Sequence, residues 1–274
     1  MNHNDRKPNW GDPALFIMMM PETVKPVLTD PFVLYQSALL SAYAERLNHG
    51  FTGKGAGEHP FTLGGPGFDA DLIQENRLTL CRVAELNEVR LSLPRQTHTD
   101  RYRINDLPCE DETDAVIVTE VGVAAMVQVA DCVPVILYAP DRHVGAVIHA
   151  GWRGTAQGIT KKLASVLIEE YQAAPEHMIA AIGPSIGGCC YEVSQEVAEA
   201  VAQTVPAQPE NLYREIQPNG KPRVDLKKVN ELQLRALGLK SIEILNACTR
   251  CLPETLWSFR RNESGRQVGF LQLN

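Results

Sequence analysis

Residues Thr113 to Thr160 read TDAVIVTEVGVAAMVQVADCVPVILYAPDRHVGAVIHAGWRGTAQGIT. Within them lie four short runs rich in valine and isoleucine: Ala115–Val118, Val123–Val129, Val133–Tyr138 and Val144–His149. Turn signals separate them, at Val121-Gly122, at Asp131 and at Pro140-Asp141. Strands that are apolar on both faces need cover on both faces. Four of them joined by tight turns favour another arrangement over the helix-separated strands of a clean doubly wound fold. The pattern predicts a mixed sheet or stacked sheets with outer helices.

Outward from this centre, helices and strands alternate. Gly158 to Tyr171 carries Ile159, Leu163, Val166, Leu167 and Tyr171 at helical spacing. Met178–Ile182 returns to strand. Ser194 and Asp225 are N-cap residues for two further helices, and Gly238 suits the end of the second. Ile242–Leu245, Leu256–Phe259 and Val268–Leu271 read as late strands. Before the centre, Leu34, Ala38, Leu39 and Ala42 are spaced for a helix starting near Asp30. The glycine-rich stretch His49 to Gly67 reads as loop with short extended pieces, and Ala70 to Val83 as helix. Residues 1–24 are polar, carry prolines and lack a period, which predicts a loose N-terminal extension before a single domain over 25–274.

The chain has 274 residues, 44% hydrophobic and 22% charged, a globular composition. A chain of this length buries roughly 70–75% of its unfolded surface and needs no disulfides. Its net charge is −7, the wrong sign for a general nucleic-acid binder, although a few arginines can still hold a small anion. No apolar run reaches the length of a membrane helix, and Ala14–Met20 is too short and lacks a cleavage site for a leader. The expected compartment is the cytoplasm, with the seven cysteines, an odd number, reduced. No GxGxxG follows a strand and no GxxxxGK[ST] occurs, so the familiar nucleotide folds are not supported.

Three residues share a placement that matters chemically. His98, Cys132 and His149 each stand where a strand meets a loop, which is where scaffolded sites are usually built. Two imidazoles and one thiolate suit zinc, and three protein ligands leave a fourth position open, as in catalytic sites. The plainer alternative is three unconnected polar residues at strand ends. Gly151-Trp152-Arg153-Gly154-Thr155 links a strand to a helix. Its glycines permit close backbone approach and Arg153 offers a forked cation, so an anion such as phosphate would fit; a tight turn with a surface arginine is the competing reading. The turn Gly183-Pro184-Ser185-Ile186-Gly187-Gly188 could line a pocket or serve as a plain crossover. Cys248-Thr249-Arg250-Cys251 is a CxxC without a second half-site. Cys189-Cys190 are adjacent and poorly placed to chelate one ion together, so packing beside a glycine turn is the expectation for them. Arg77, on the 70–83 helix, reads by itself as a solvated cation.

The Thr113–Thr160 block closely resembles the laccase-domain family of purine nucleoside phosphorylases, whose older names are polyphenol oxidase and peptidoglycan editing factor. The resemblance continues through AIGPSIGGCCYEV (181–193), RVDLKKVN (223–230), NACTRC (246–251) and SFRRNESGR (258–266). It is weaker in NHGFTGKG (48–55) and ENR (75–77). It covers about His49 to the C-terminus, and the ADC and HAGWRGT blocks in this order are highly specific.

The resemblance implies a single-domain α/β (α+β) fold, an αββα four-layer sandwich of mixed sheets with outer helices. It places a zinc, or copper, site on His98 in QTH, Cys132 in ADC and His149 in HAGWRG, and a pocket arginine on Arg77 of the NR motif. It implies phosphorolysis of adenosine, inosine and methylthioadenosine together with adenosine deamination. The partners would be a purine nucleoside and phosphate, bound with help from Arg77 and Arg153, in a monomer or homodimer. Three positions depart from the family pattern: Thr99 replaces a glycine, Lys54 an arginine and Asn262 an aspartate. All three bear on substrate preference rather than on the metal ligands.

Other readings remain. Cys132 could be a nucleophile, with His149 or His98 as base, in an amidase editing peptidoglycan precursors. Copper-dependent phenol oxidation would need more histidines than the seven present. A zinc-stabilised binding module would need a fourth protein ligand, and none stands out.

Overall fold

The computed structural model describes residues 27–28, 31–55, 61–105, 112–205, 213–214 and 220–274. The expected extension over 1–24 lies outside the described residues, as does Cys109. The strands in chain order are β1 (Val27–Leu28), β2 (Val33–Tyr35), β3 (Leu47–Thr52), β4 (Leu91–Ser92), β5 (Tyr102–Ile104), β6 (Ala115–Val118), β7 (Ala124–Val129), β8 (Val133–Ala139), β9 (Val144–Ala150), β10 (Ile179–Ile182), β11 (Tyr213–Arg214), β12 (Arg223–Val224), β13 (Ser241–Ile244) and β14 (Gln267–Leu273). The helices are α1 (Ala38–Ser41), α2 (Ala70–Val83), α3 (Trp152–Ala156), α4 (Ile159–Glu169), α5 (Gln195–Ala202) and α6 (Leu226–Arg235).

Two six-stranded sheets form, in the orders β1-β2-β3-β14-β7-β4 and β13-β10-β8-β9-β6-β5, and β11 pairs with β12. Neighbours in the first sheet are antiparallel except β4 and β7. The second sheet is antiparallel in its middle and parallel at both edges, β10–β13 and β5–β6.

The period-two alternation of the strands builds the layers. Along β8, Val133, Val135 and Leu137 face the outer helices, packing with Leu163, Leu167, Val229 and Leu234. Ile136 and Tyr138 face inward, against Phe51, Val127 and Leu271 of the other sheet. The first sheet turns Met126, Val268 and Phe270 outward beneath Leu80 and Cys81 of α2. Helix, sheet, sheet, helices: this is the αββα sandwich. Each fully buried Val, Leu or Ile contributes about 1.5–3 kcal/mol relative to exposure.

Asp69 caps α2, its carboxylate accepting from the Asp71 and Leu72 amides at 2.8 and 3.2 Å. Asp225 caps α6 through the Lys228 amide at 3.2 Å, and Gly238 adopts a positive φ just beyond it. Ser194 precedes α5 as expected, but its hydroxyl makes no capping bond.

Three local expectations are corrected. Residues expected to be helical from Asp30 instead form β2, with Val33 and Tyr35 in the inter-sheet core and Leu34 on the outer face; only Ala38–Ser41 are helical. The His49–Gly67 region holds most of β3. Gly50 there is a packing requirement and not a loop signal, since a Cβ would come within 2.7 Å of Leu34 Cδ1 and 2.9 Å of Phe270 Cζ. Leu256–Phe259 is not a strand. The Leu256 amide donates locally to the Leu252 carbonyl at 3.0 Å, and the next two go to side chains, Trp257 N–H to Gln267 Oε1 at 2.7 Å and Ser258 N–H to Glu263 Oε2 at 2.8 Å, so no ladder forms. Among the described residues, no helix is long and apolar enough to cross a membrane.

Candidate metal centre

Sheet register assembles the site. β6 and β9 run antiparallel with Ala115 opposite Ile148, and one step further the His149 amide donates to the Asp114 carbonyl at 2.7 Å. β8 and β9 pair Val133 with Ala150, which sets Cys132 beside Gly151. The start of β6, the start of β8 and the end of β9 therefore meet at one edge. The Gln96–Thr99 loop closes over them with His98.

The donor atoms of His98, Cys132 and His149 all lie within 4.8 Å of one another. Cys132 Sγ is 3.8 Å from His98 Nε2, and the two imidazoles meet edge-on with centroids 4.9 Å apart. A tetrahedral zinc site, with bonds of about 2.0–2.3 Å, spaces its donors roughly 3.5 Å apart. The three residues fit such an ion on donor chemistry and spacing alike. Gly151 permits the approach: a Cβ there would stand 2.7 Å from His98 Cδ2 and 3.2 Å from Cys132 Sγ.

Asp114 organises the set and was not singled out by the sequence reading. It is fully buried. Its Oδ1 accepts from His149 Nδ1 at 2.6 Å and from the His98 amide at 3.0 Å. Its Oδ2 accepts from the Thr97 amide at 3.2 Å, the Thr99 amide at 2.7 Å and the Thr99 hydroxyl at 2.9 Å. Burial opposes its charge, but His149 and the Thr99 donors outweigh burial and draw the carboxyl down to about 2. Three successive amides on one carboxylate hold His98 at φ 65°, a left-handed conformation that costs a non-glycine residue energy and marks functional loops. The Thr99 departure thus adds a hydroxyl donor to this clamp.

The charges at the centre are coupled. Burial would raise the Cys132 thiol, but His149 and His98 beside it pull it down to about 6. Burial would lower His149, but Cys132 and Asp114 lift it to about 9.

The centre lies in the wall of a cavity of about 770 Å³, which Arg77, Arg153, Arg260 and Arg266 also line. That volume is in the range of small-molecule sites. Arg77 projects from α2 into this cavity and is not a solvated cation of the helix surface; burial lowers its pKa. Arg153 lies over the Trp152 ring at 4.5 Å, and Arg260 over Tyr191 at 4.9 Å. Neither Arg77 nor Arg153 has an acidic partner among the described residues. Asp131 is the one carboxylate lining the cavity among the described residues. Both its oxygens are engaged, Oδ1 by the Thr249 hydroxyl at 2.5 Å and Oδ2 by the Arg260 amide at 2.7 Å. The cavity is therefore net cationic in an acidic chain.

Ile186 of the Gly183–Gly188 turn lines the cavity, so that turn is a pocket wall. Of the other departures, Lys54 bonds Glu263 Oε1 at 2.8 Å and the Pro253 carbonyl at 2.9 Å. Asn262 ends a short 3₁₀ turn. Neither touches the cavity.

Stacked sheets with a two-histidine, one-cysteine set beside an arginine-lined cavity define a class of laccase-like αββα proteins. The family model described as multi-copper polyphenol oxidoreductase laccase matches residues 63–274, and the chain belongs to that family. It is 36% identical over 162 residues to the purine nucleoside phosphorylase YlmD of Geobacillus stearothermophilus, covering 58% of this chain and 59% of that protein. That span is under two thirds of the relative's length. It is 32% identical over 208 residues to adenosine deaminase RL5 from an unknown prokaryotic organism, covering 71% and 79%. Among solved structures, YfiH from Bacillus licheniformis superposes with a TM-score of 0.80 at 27% identity, covering 90% of this chain and 97% of that one.

Proposed function

We propose that the chain is a zinc-dependent purine nucleoside phosphorylase acting on adenosine, inosine and methylthioadenosine, with adenosine deaminase activity. The observation that carries the reading is the His98–Cys132–His149 set opening onto an arginine-lined cavity, with Arg77 and Arg153 among the arginines that have no acidic partner among the described residues. The names of the relatives point the same way.

His98, Cys132 and His149 hold the metal. Zinc in such a set supplies Lewis acidity and brings the pKa of water towards about 7. Asp114 fixes the His149 ring. Arg77 and Arg153, free of acidic partners, bind and orient phosphate so that an oxygen can attack the ribose C1′ as the bond to the purine nitrogen breaks. Trp152, Tyr191 and Ile186 give the cavity the apolar surface a purine base needs. The Tyr191 phenol, raised to about 12 mainly by burial, stays protonated. In deamination, water adds at C6 of adenosine and ammonia leaves; no phosphate is required.

The test is direct. Inosine plus phosphate should yield hypoxanthine and ribose 1-phosphate, and adenosine without phosphate should yield inosine and ammonia. Absence of both activities in zinc-loaded protein would overturn the reading.

One observation favours a second reading. Asp114, His149 and Cys132 stand in the order orienter, base, thiol that cysteine amidases use. Under that reading a muramyl-peptide amide would be cleaved and Cys132 trapped covalently by substrate, whereas a zinc ligand would not be.

A further inference from the structure

The sequence offers Cys248–Cys251 no second CxxC, but the structure brings Cys189-Cys190 beside them. β10 and β13 are parallel neighbours, so their following segments leave the sheet side by side. The pairing continues as a bridge between Ser185 and Cys248, with the Ser185 amide donating to the Ala247 carbonyl at 3.2 Å and the Thr249 amide to the Ser185 carbonyl at 3.1 Å. This register brings Cys189-Cys190 onto Cys248 and Cys251. The four sulfur atoms all lie within 4.8 Å of one another. Cys251 Sγ is 3.8 Å from Cys189 Sγ and 3.4 Å from Cys190 Sγ.

We propose that Cys189, Cys190, Cys248 and Cys251 form a second metal site, a closed tetrathiolate that binds a structural zinc ion. Bonds of about 2.3 Å to tetrahedral zinc place thiolates roughly 3.8 Å apart, close to the spacings seen. Four protein ligands leave no open position, the mark of a structural site. Adjacent cysteines in a strand would point apart. Here they end a turn, with the Cys190 amide donating to the Gly187 carbonyl at 2.9 Å, and both thiols reach the same centre.

The surroundings suit a thiolate cluster. The Gly187 amide donates to Cys248 Sγ at 3.2 Å, an outer contact of the kind that orients metal ligands. Lys227 is 1% exposed and reaches the Ser185 carbonyl at 3.4 Å; burial lowers its pKa, against raising effects from Asp225 first and then from Cys248, Cys189 and Cys251. A divalent ion with four thiolates is a dianion, and a buried ammonium partly offsets it. Packing does not explain the group, because Cys189 and Cys251 are exposed, contrary to the habit of inert cysteines. A disulfide would select one partner for Cys251, yet Cys251 contacts two.

The site has a role in the fold. It staples the turn carrying Ile186 to the segment carrying Thr249. Both hold Asp131, Ile186 by its amide to the Asp131 carbonyl at 3.0 Å and Thr249 by its hydroxyl. Asp131 precedes Cys132, so the staple fixes one wall of the cavity.

The test uses the full chain, purified under reducing conditions with zinc, and counts metal by mass spectrometry. Wild type should hold about two zinc ions per chain, the Cys132→Ala variant about one, and the Cys189→Ser/Cys251→Ser variant about one. Should the nucleoside reading fail because the histidine set binds no zinc, wild type and Cys132→Ala would both hold about one and the double variant none, and the tetrathiolate would stand. Cobalt substitution guards against misfolding of the double variant: the Cys132→Ala protein should still show the intense thiolate-to-cobalt charge transfer of a four-sulfur site. A wild type whose whole zinc content vanishes with Cys132→Ala would overturn the proposal. So would cobalt-loaded Cys132→Ala without that band, or a Cys190–Cys251 disulfide in the reduced preparation.

Discussion

The His149 ring donates from Nδ1 to Asp114 Oδ1 across 2.6 Å in a fully buried contact. An ionised carboxylate can only accept, so Nδ1 keeps its proton, and Nε2 is the nitrogen that gives up a proton to present its lone pair to a metal. The same carboxylate clamps the 97–99 loop that carries His98, so a single acid sets two of the three donors.

Asp114→Asn should therefore weaken zinc binding at the histidine set by about 10–100-fold. Asparagine can still fill the space, so the far-UV circular dichroism should be unchanged. Competition against a chromophoric chelator measures the affinity, ideally in the Cys189→Ser/Cys251→Ser background to isolate this site. Wild-type affinity would refute the orienting role.

Gly151→Ala adds one methyl at a backbone φ of −69°, which alanine accepts. Its cost is then steric. The methyl would meet His98 Cδ2 at 2.7 Å and Cys132 Sγ at 3.2 Å. Overpacking of this kind costs about 1–3 kcal/mol. The expected result is loss of zinc from the histidine set and of activity, with a melting temperature several degrees below that of the zinc-free wild type.

Arg77→Ala and Arg153→Ala separate the two activities. Each removes an unneutralised cation from the cavity, worth about 1.5–3 kcal/mol in a charge-assisted bond to phosphate. The KM for phosphate in inosine phosphorolysis should rise about 10–100-fold. Adenosine deamination in phosphate-free buffer should change much less. Equal losses in both assays would place these arginines on the nucleoside.

His49 carries a pH dependence of stability away from the cavity. Its Nε2 accepts the Ser37 amide at 3.1 Å, which requires the neutral ring. Burial lowers its pKa to about 4, against a smaller raising effect from Glu243. Above about pH 6.5 neither folded nor unfolded chain is protonated there, and stability is full. As pH falls from about 6.5 to 4 the unfolded chain takes a proton that the folded chain refuses, so stability drops by about 3 kcal/mol. His49→Gln keeps an acceptor without the titration. Urea midpoints at pH 7 and pH 4 should fall further in wild type than in this variant.

The central strands were legible because their apolar runs were unbroken and their turns were marked. The strand at Val33–Tyr35 was not, because Leu34, Ala38 and Leu39 imitate a helical period while the chain pairs with β3 and β1. His98, Cys132 and His149 could be chosen from their strand-end positions together with the family blocks. Asp114 could not, since a lone acid before a strand carries no local pattern. Only the antiparallel register of β6 on β9 sets it opposite His149. The four cysteines were hidden for the same reason: a parallel contact between Ser185 and Cys248 spans a separation that no local spacing encodes.

The position of β14 between β3 and β7 has a kinetic meaning. Leu273 pairs with Leu47 and Gly269 with Phe51, so closing the first sheet means joining chain segments more than two hundred residues apart. β8 and β9 need only a tight turn, and β6 and β9 a short excursion. Contacts between distant segments are slow to form, and those between near ones are fast. The second sheet should therefore gain amide protection first during refolding. Asp114, Cys132 and His149 all sit on that sheet or at its edge, so the metal centre takes shape before the sheet that covers it.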